Sequence, residues 1–394
     1  GAGRPLKTNN ERPLVFIVAG EYSGDNLGAV LMAAMKRLTG ARVRFAGVGG
    51  PAMAREGLDS IFPMSDLAVM GLAEILPRAR LLLRRLKMTV GAVRELQPDL
   101  VLTVDSPGFS LRLGERIRGL GIPRVHYVAP QLWAWNSRRG RKLTRQVDHL
   151  LALFPFEPEF FAQYGVPCRF VGHPIVEYGV DGGDGKVFRE RHAIPADATV
   201  VAILPGSRES EVRRLLPVFG DVVARLAGKR PDLVAVVCAV DSQAGGIARG
   251  TANWPVPVIV VSETAEKYDA FAACAAAVTK SGTITLELAL AGVPMVVAHK
   301  VSGLTALIAR RLLHVSHVSM VNLLVGESLV PELLQEHCRA RGIAAEIEKL
   351  LDEPAARKAQ LSGFQRAVAS LGGTTPPPSE RAAQAVLALL PARD

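Results

Sequence analysis

The chain has 394 residues, 49% of them hydrophobic, with 37 glycines, 26 prolines and a formal charge of +10. That length exceeds one ordinary hydrophobic core and calls for two domains, while the composition excludes a collagenous, low-complexity or wholly disordered chain. The basic balance points to an anionic partner, which charge alone leaves open between nucleic acid, a phosphorylated small molecule and an acidic lipid surface.

Residues 1–12 read as a loose, flexible leader. The run Leu14-Val-Phe-Ile-Val-Ala19 is too short for an export signal and suits a buried first strand. It ends in Gly20-Glu-Tyr-Ser-Gly-Asp-Asn26, where glycines permit close backbone approach and the next helix offers its free amides. Neither a G-x-G-x-x-G pattern nor a P-loop lysine is present. Glu21 and Asp25 would repel a pyrophosphate, so a hydroxyl-rich ligand such as a sugar fits Glu21, Ser23, Gly24 and Asp25 better. A capped helix start explains the same residues.

After a strand at 43–48, residues 67–93 join an apolar stretch (Leu67, Val69, Met70, Leu72) to a basic helix. Ile75, Ala79, Leu82, Leu86, Val90 and Val93 share a core-facing stripe. Leu81 and Met88 are left outside it among Arg78, Arg80, Arg84, Arg85, Lys87 and Arg94, with no acid between Glu74 and Arg94. Such a helix reads as an interfacial membrane anchor; an ordinary solvated basic helix is the plainer alternative. No apolar run approaches the ~18 residues that span a bilayer.

The strand at 99–104 runs directly into Asp105-Ser-Pro-Gly108. In open parallel sheets ligands bind at the carboxyl ends of strands, so Asp105 is a candidate general base, with helix capping as the alternative. Beyond a strand at 124–128, Trp133 and Trp135 sit in a loop. They suit stacking on a sugar or base, or the plugging of that loop. From Arg116 to Arg145 there are eight Lys or Arg and no acid.

A strand at 149–153 ends the first series, and the Gly/Asp-rich stretch at 179–186 opens a linker. A second series follows at 199–204, 233–239, 256–261, 275–279 and 294–298. Apolar runs alternating with helical stretches predict an α/β protein of two Rossmann-like doubly wound domains facing a cleft. The expected division is 13–178, a linker at 179–198, 199–365, and a C-terminal helical segment at 366–394 that docks on either domain or on a neighbouring chain.

In the second domain Gly206 turns the chain, Ser207 caps, and Arg208 offers a planar fork suited to phosphate. Lys280 and the Ser281-Gly282-Thr283 turn open a helix carrying Glu287, a carboxylate placed to accept from a ribose diol. A charge at a helix N-terminus is worth only ~0.3 to 1 kcal/mol, so a diphosphate needs the turn, Lys280 and Arg208 together. A helix cap with a surface salt bridge is the bland reading. The four cysteines lie far apart with no paired ligand spacing, as free thiols in a reducing cytosol would, and His314 and His317, though in helix-like spacing, lack a third nearby ligand and suit structural roles better than metal.

The stretches GEYSGDNLGA, GVGGPAM, MGLAEIL, HYVAPQLWAW, FPFEPEFF, VPCRFVGHP, LPGSRESEV, SGTITLELAL, PMVVAHK and VSMVNLLVGESLVPELLQ together resemble the lipid-A-disaccharide synthase family, from residue 14 to about residue 340. The resemblance implies a GT-B glycosyltransferase that needs no metal or cofactor. It would act on the cytoplasmic face of the inner membrane as a peripheral protein on an anionic surface. The implied reaction joins UDP-2,3-diacylglucosamine to 2,3-diacylglucosamine 1-phosphate (lipid X), with inversion, to give a β(1→6) disaccharide.

By motif, Asp105 would be the base; Arg208, Ser281, Gly282, Thr283, Glu287 and Asn322 would hold UDP; and Glu21, Ser23, Met70, Glu74, Trp133 and Trp135 would line the acceptor side. The family also implies a homodimer with exchanged C-terminal segments. In one respect the chain departs: where members carry a second acid after Asp-x-Pro it has Gly108, with Ser110 in place of an amide. Asp105 is therefore expected to act without a carboxylate partner. The alternatives are another UDP-sugar enzyme of the same fold, such as a peptidoglycan transferase or a UDP-N-acetylglucosamine epimerase, and a basic nucleic-acid-binding protein. The strand-end acids Glu21, Asp25 and Asp105 oppose nucleic acid as a partner.

Overall fold

In the computed structural model the described residues are 12–68, 75–133, 137–262, 264–303, 305–307 and 317–391. Most of the expected leader, and the positions Val69, Met70, Leu72, Glu74 and Trp135, lie outside them. The chain forms two compact units: one takes in the chain as far as Glu177 and again from Leu371, the other runs from Tyr178 to Ser370.

The first unit holds six parallel strands: β1 Leu14–Ala19, β2 Arg44–Val48, β3 Leu100–Val104, β4 Arg124–Tyr127, β5 His149–Ala152 and β6 Cys168–Phe170. Their order is β2-β1-β3-β4-β5-β6. All five side chains of β3 are buried, as expected of a parallel strand covered on both faces. Its register beside β1 pairs Val15 with Leu100 and Ala19 with Val104, so the two strands end side by side.

The second unit repeats the plan with β7 Thr199–Leu204, β8 Leu233–Cys238, β9 Val258–Val261, β10 Ala276–Lys280, β11 Met295–His299 and β12 Glu332–Leu334. These lie in the order β12-β11-β10-β7-β8-β9, all parallel. Helix Glu209–Ala227 buries Leu215, Phe219, Val222 and Leu226 in the core it shares with the strands. At about 1.5 to 3 kcal/mol for each such side chain, that stripe anchors the helix whose first turn borders β7. The short edge strands β6 and β12 have no counterpart in the predicted series.

Residues 179–198 are folded rather than a linker. Helix Gly185–Arg191 is capped by Asp184, whose Oδ1 accepts from the Val187 amide at 3.1 Å, and it buries Phe188 completely. A Cβ at Gly183 would lie 2.0 Å from the Tyr268 carbonyl oxygen. The glycine there serves close packing on helix Thr264–Ala273, not looseness.

The expected boundary at 365/366 falls inside helix Pro354–Ser370. The Gln360 side chain of that helix bonds both the N–H and the C=O of Met295, at 2.7 and 2.9 Å. The last helix, Pro378–Ala388, packs on helix Tyr22–Thr39 of the same chain and buries Ala382, Ala383, Val386 and Leu387. Its start is held by the Glu177 carboxylate, which accepts from the Ser379 amide at 3.0 Å and from its hydroxyl.

Candidate active site

Each sheet has one place where strand order reverses, between β1 and β3 and between β7 and β10. The carboxyl ends of strands beside such a switch point are where doubly wound sheets bind ligands.

In the first unit β1 leaves through Gly20-Glu21 and β3 through Asp105-Ser106, and the two turns touch. A Cβ at Gly20 would lie 2.8 Å from Ser106 Oγ. Asp105 and Ser106 both adopt left-handed backbone, with φ of 51° and 45°. For non-glycine residues this costs ~1 to 3 kcal/mol each and persists only where the surroundings impose it. Here the Asp105 amide donates to the Tyr127 carbonyl at 2.9 Å, and the buried Ser110 hydroxyl donates to the Asp105 carbonyl at 2.8 Å. Ser110, read from sequence only as a departure, thus fixes the turn that aims the acid.

The Asp105 carboxyl is half-buried. Burial pushes its pKa up, the negative charge of Glu21 adds to this, and a hydrogen bond from the Ser106 backbone partly offsets both. That corrects one expectation: the carboxylate neighbour lost at Gly108 is replaced by Glu21, delivered from the end of β1. A carboxylate of raised basicity at a switch point can take a proton from a bound hydroxyl.

Around it, Glu21 and Ser23 are exposed, and Gly24 brings the helix backbone against Val104. Asp25 does not face a ligand. It is 2% exposed, and its carboxylate accepts from the amides of Gly50, Ala52 and Met53 at 2.9 to 3.0 Å, capping helix Pro51–Arg55. Trp133 is also buried, its indole N–H aimed at Glu157 Oε2 (3.4 Å) and its ring edge-on to Phe156. It plugs its loop and offers no stacking face.

In the second unit a cavity of about 320 Å³ opens at the β7/β10 switch point, lined by Gly206, Ser207, Lys280, Ser281, Gly282 and Thr283. These are the residues expected there. Glu211 and Lys267 line it as well and were not foreseen. Lys280 Nζ lies 2.8 Å from Glu211 Oε1, and Lys267 Nζ 2.8 Å from Glu287 Oε2. Burial alone would raise the Glu211 pKa, but Lys280 and the Arg208 and Ser207 amides hold it below the usual carboxylate value. The Ser281 hydroxyl bonds His299 Nδ1 at 3.1 Å. Burial, with Lys280 beside it, keeps that imidazole's pKa low. Arg208 stands exposed at the N-cap of helix Glu209–Ala227.

Asn322 does not line that cavity. It is completely buried, and its side-chain amide bonds the N–H and C=O of Val330 and the Glu332 carboxylate, all at 2.9 Å. It braces the loop before β12. Glu211 had a legible signal, three residues after Arg208 in capping-box spacing. Lys267 had none, because it arrives from a separate helix. Among the described residues no group of three or more His, Cys, Asp or Glu could hold a metal ion.

The proposed lipid-facing residues sort differently from expectation. Leu67 is buried and Leu81 half-buried. Arg85 is paired with Asp66 at 2.8 Å and lies over the Phe62 ring. Among the described residues of helix Ile75–Leu96 the exposed large apolar side chains are Leu83 (52%), Met88 (40%) and Leu96 (44%), flanked by Arg80, Arg84, Lys87 and Arg94. Ala79, assigned to the core stripe, is exposed.

In comparisons with solved structures, an S. aureus MnaA-UDP co-structure aligns over 95% of this chain and 96% of its own with a TM-score of 0.65 at 13% identity. A UDP-GlcNAc 2-epimerase from Neisseria meningitidis bound to UDP-GlcNAc covers 96% and 98% with a TM-score of 0.59 at 14% identity. At such identity the likeness speaks to the fold, which is GT-B. Sequence relatives are much nearer. The lipid-A-disaccharide synthase of Rhodospirillum centenum is 50% identical over 382 residues, 96% of this chain and 95% of its own. That of Paramagnetospirillum magneticum is 47% identical over 378 residues, 95% and 97%. The family model described as lipid-A-disaccharide synthetase matches residues 15–386. With both switch points inside that match, the chain belongs to the lipid-A-disaccharide synthase family of glycosyltransferase enzymes.

Proposed function

We propose that the enzyme transfers 2,3-diacylglucosamine from its UDP derivative to the 6-hydroxyl of 2,3-diacylglucosamine 1-phosphate, giving the β(1→6) disaccharide 1-phosphate and UDP. An α-linked donor and a β product call for one in-line displacement. The acceptor oxygen bonds to C1 as the C1–O bond to UDP breaks, and the acceptor's proton passes to a base. Asp105 takes that role, and the observation that carries it is its half-buried carboxyl, held in left-handed backbone at the β1/β3 switch point with its pKa raised. The Gly206-Ser207 turn, Arg208, Lys280 and the Ser281-Gly282-Thr283 turn hold the UDP diphosphate, and Glu287 accepts from the ribose. The UDP and UDP-GlcNAc in the solved proteins of the same fold support this donor class. A product assay with UDP-diacylglucosamine and lipid X tests the reaction. Formation of disaccharide and UDP in equal amounts is expected; turnover of unacylated UDP-GlcNAc with no use of the acylated donor would sink it.

The acyl chains of both substrates require the enzyme to work at a lipid surface, the cytoplasmic face of the inner membrane. Among the described residues no helix is long and apolar enough to cross a membrane. Attachment is assigned to the exposed face of helix Ile75–Leu96. Leu83 and Met88 inserting at ~1.5 to 3 kcal/mol each, with Arg84, Lys87 and Arg94 adding ~1 kcal/mol apiece near anionic lipid, give reversible binding. Changing Leu83 and Met88 together to serine is expected to lower sedimentation with anionic vesicles by about tenfold or more. Unchanged sedimentation would move the contact elsewhere. Exchange of the C-terminal helices in a homodimer would set Pro378–Ala388 of each chain on Tyr22–Thr39 of the other.

A further inference from the structure

Two backbone amides and one ammonium group in the second unit converge on a single carboxylate. Glu211 Oε2 accepts from the amides of Ser207 and Arg208 at 3.2 and 3.3 Å, and Oε1 pairs with Lys280 at 2.8 Å. These donors sit at the start of helix Glu209–Ala227 and at the end of β10. They are the same groups that the donor-site reading gives to a diphosphate. The turn is shaped around the carboxylate: Gly206 has φ of 110°, and a Cβ there would lie 2.4 Å from Glu211 Oε2. Both partners are largely withdrawn from solvent, with side chains 24% and 18% exposed, so salt screens the pair less than an open surface pair. The other lysine lining the cavity, Lys267, is matched by Glu287.

We propose that Glu211 is an internal anion that competes with the nucleotide's diphosphate for the Ser207 and Arg208 amides and for Lys280, and so sets the affinity and anion selectivity of the donor site. Each amide has a single hydrogen, so a bound phosphate and the carboxylate cannot both take the Ser207 and Arg208 amides, and they must divide the three N–H groups of Lys280 between them. Two negative groups at one such place repel, and the one held more weakly must turn away. An anion gains the site only when its bonds there outweigh those of Glu211. A diphosphate, with more charge and more acceptor oxygens than a monophosphate or a carboxylate, meets that condition best. The inference rests on the donor-site reading above. It differs from a plain capping box, in which the same glutamate only steadies the first turn of its helix.

The test is calorimetric titration of UDP and of uridine into the parent protein and into Glu211→Gln. The glutamine keeps the length and one acceptor oxygen but removes the charge that holds Lys280. UDP is expected to bind the variant about tenfold more tightly, since a partly buried ion pair and its bonds no longer have to be broken, while uridine binds both proteins alike. UDP binding equal to or weaker than the parent's, with uridine unchanged, would overturn the proposal in favour of the plain cap. If the parent binds uridine no more weakly than UDP, or binds neither, the donor-site reading itself falls and the inference with it. Glu211→Ala, which removes the acceptor as well, keeps the test open should the glutamine variant misfold.

Discussion

Asp105→Asn is expected to lower turnover by ~10² to 10⁴-fold, the range a positioned general base supplies, with UDP binding unchanged. The amide keeps the size and hydrogen-bonding edge of the carboxylate but cannot accept the acceptor's proton. The Ser110 and Tyr127 bonds that hold the turn run to the Asp105 backbone, so they survive the change. The pH dependence follows from the same contacts. A base must be ionised to work, so kcat/KM falls as pH drops through the Asp105 pKa, which lies above the usual carboxylate value. Because the charge of Glu21 helps to raise it, Glu21→Gln is expected to shift that acid limb to lower pH. Steady-state rates across pH 4 to 8 for the three proteins check both points. Near-normal turnover of Asp105→Asn would reassign the base.

Glu157 carries the second large effect. It is 1% exposed, accepts from the Phe154 amide at 3.1 Å and from the Trp133 indole, and burial pushes its pKa up to about 8. The folded carboxyl therefore keeps its proton through neutral pH, whereas the unfolded one loses it near 4.5. Between those values the native state binds the extra proton, so the stability that Glu157 contributes is full at low pH, declines as pH rises, and is gone above about 8; buried His126 and His173, held down to about 4, act in the opposite sense at lower pH, so the Glu157 decline shows above their ordinary value of 6.5. Each tenfold change in the acid constant is worth about 1.4 kcal/mol, so the loss across the window is on the order of 4 to 5 kcal/mol. Hydrogen exchange in β5 and helix Glu157–Ala162, corrected for intrinsic rate, is expected to report that decline. Glu157→Gln is expected to flatten it, whatever its own baseline stability. Parent and Glu157→Gln profiles that run parallel from pH 6.5 to 9 would mean the carboxyl ionises normally.

What could be read from the sequence, and what could not, divides along physical lines. A parallel strand buried on both faces writes a continuous apolar run, so ten strands were legible. The three-residue edge strands β6 and β12 are too short and too polar to register. The lining of the second unit's cavity was legible where polar residues are contiguous at a strand end, as in Lys280-Ser-Gly-Thr283. Asp25 and Asn322 were misread because a polar side chain at a turn looks the same whether it meets a ligand or a set of buried amides. Trp133 was ambiguous for the same reason, and the structure gives its indole to Glu157. On helix Ile75–Leu96 a stripe counted from the first turn slipped in phase, so that Leu83 is exposed and Leu81 half-buried.

The placement of helix Pro378–Ala388 also dictates an order of events on the ribosome. It completes the first unit, yet it is made after the whole of the second. A chain growing from its N-terminus therefore displays the uncovered side of helix Tyr22–Thr39 while residues 178–370 are synthesised and become free to fold. The unit that begins first is closed last, and truncation at residue 370 would leave the first unit open while sparing the chain of the second.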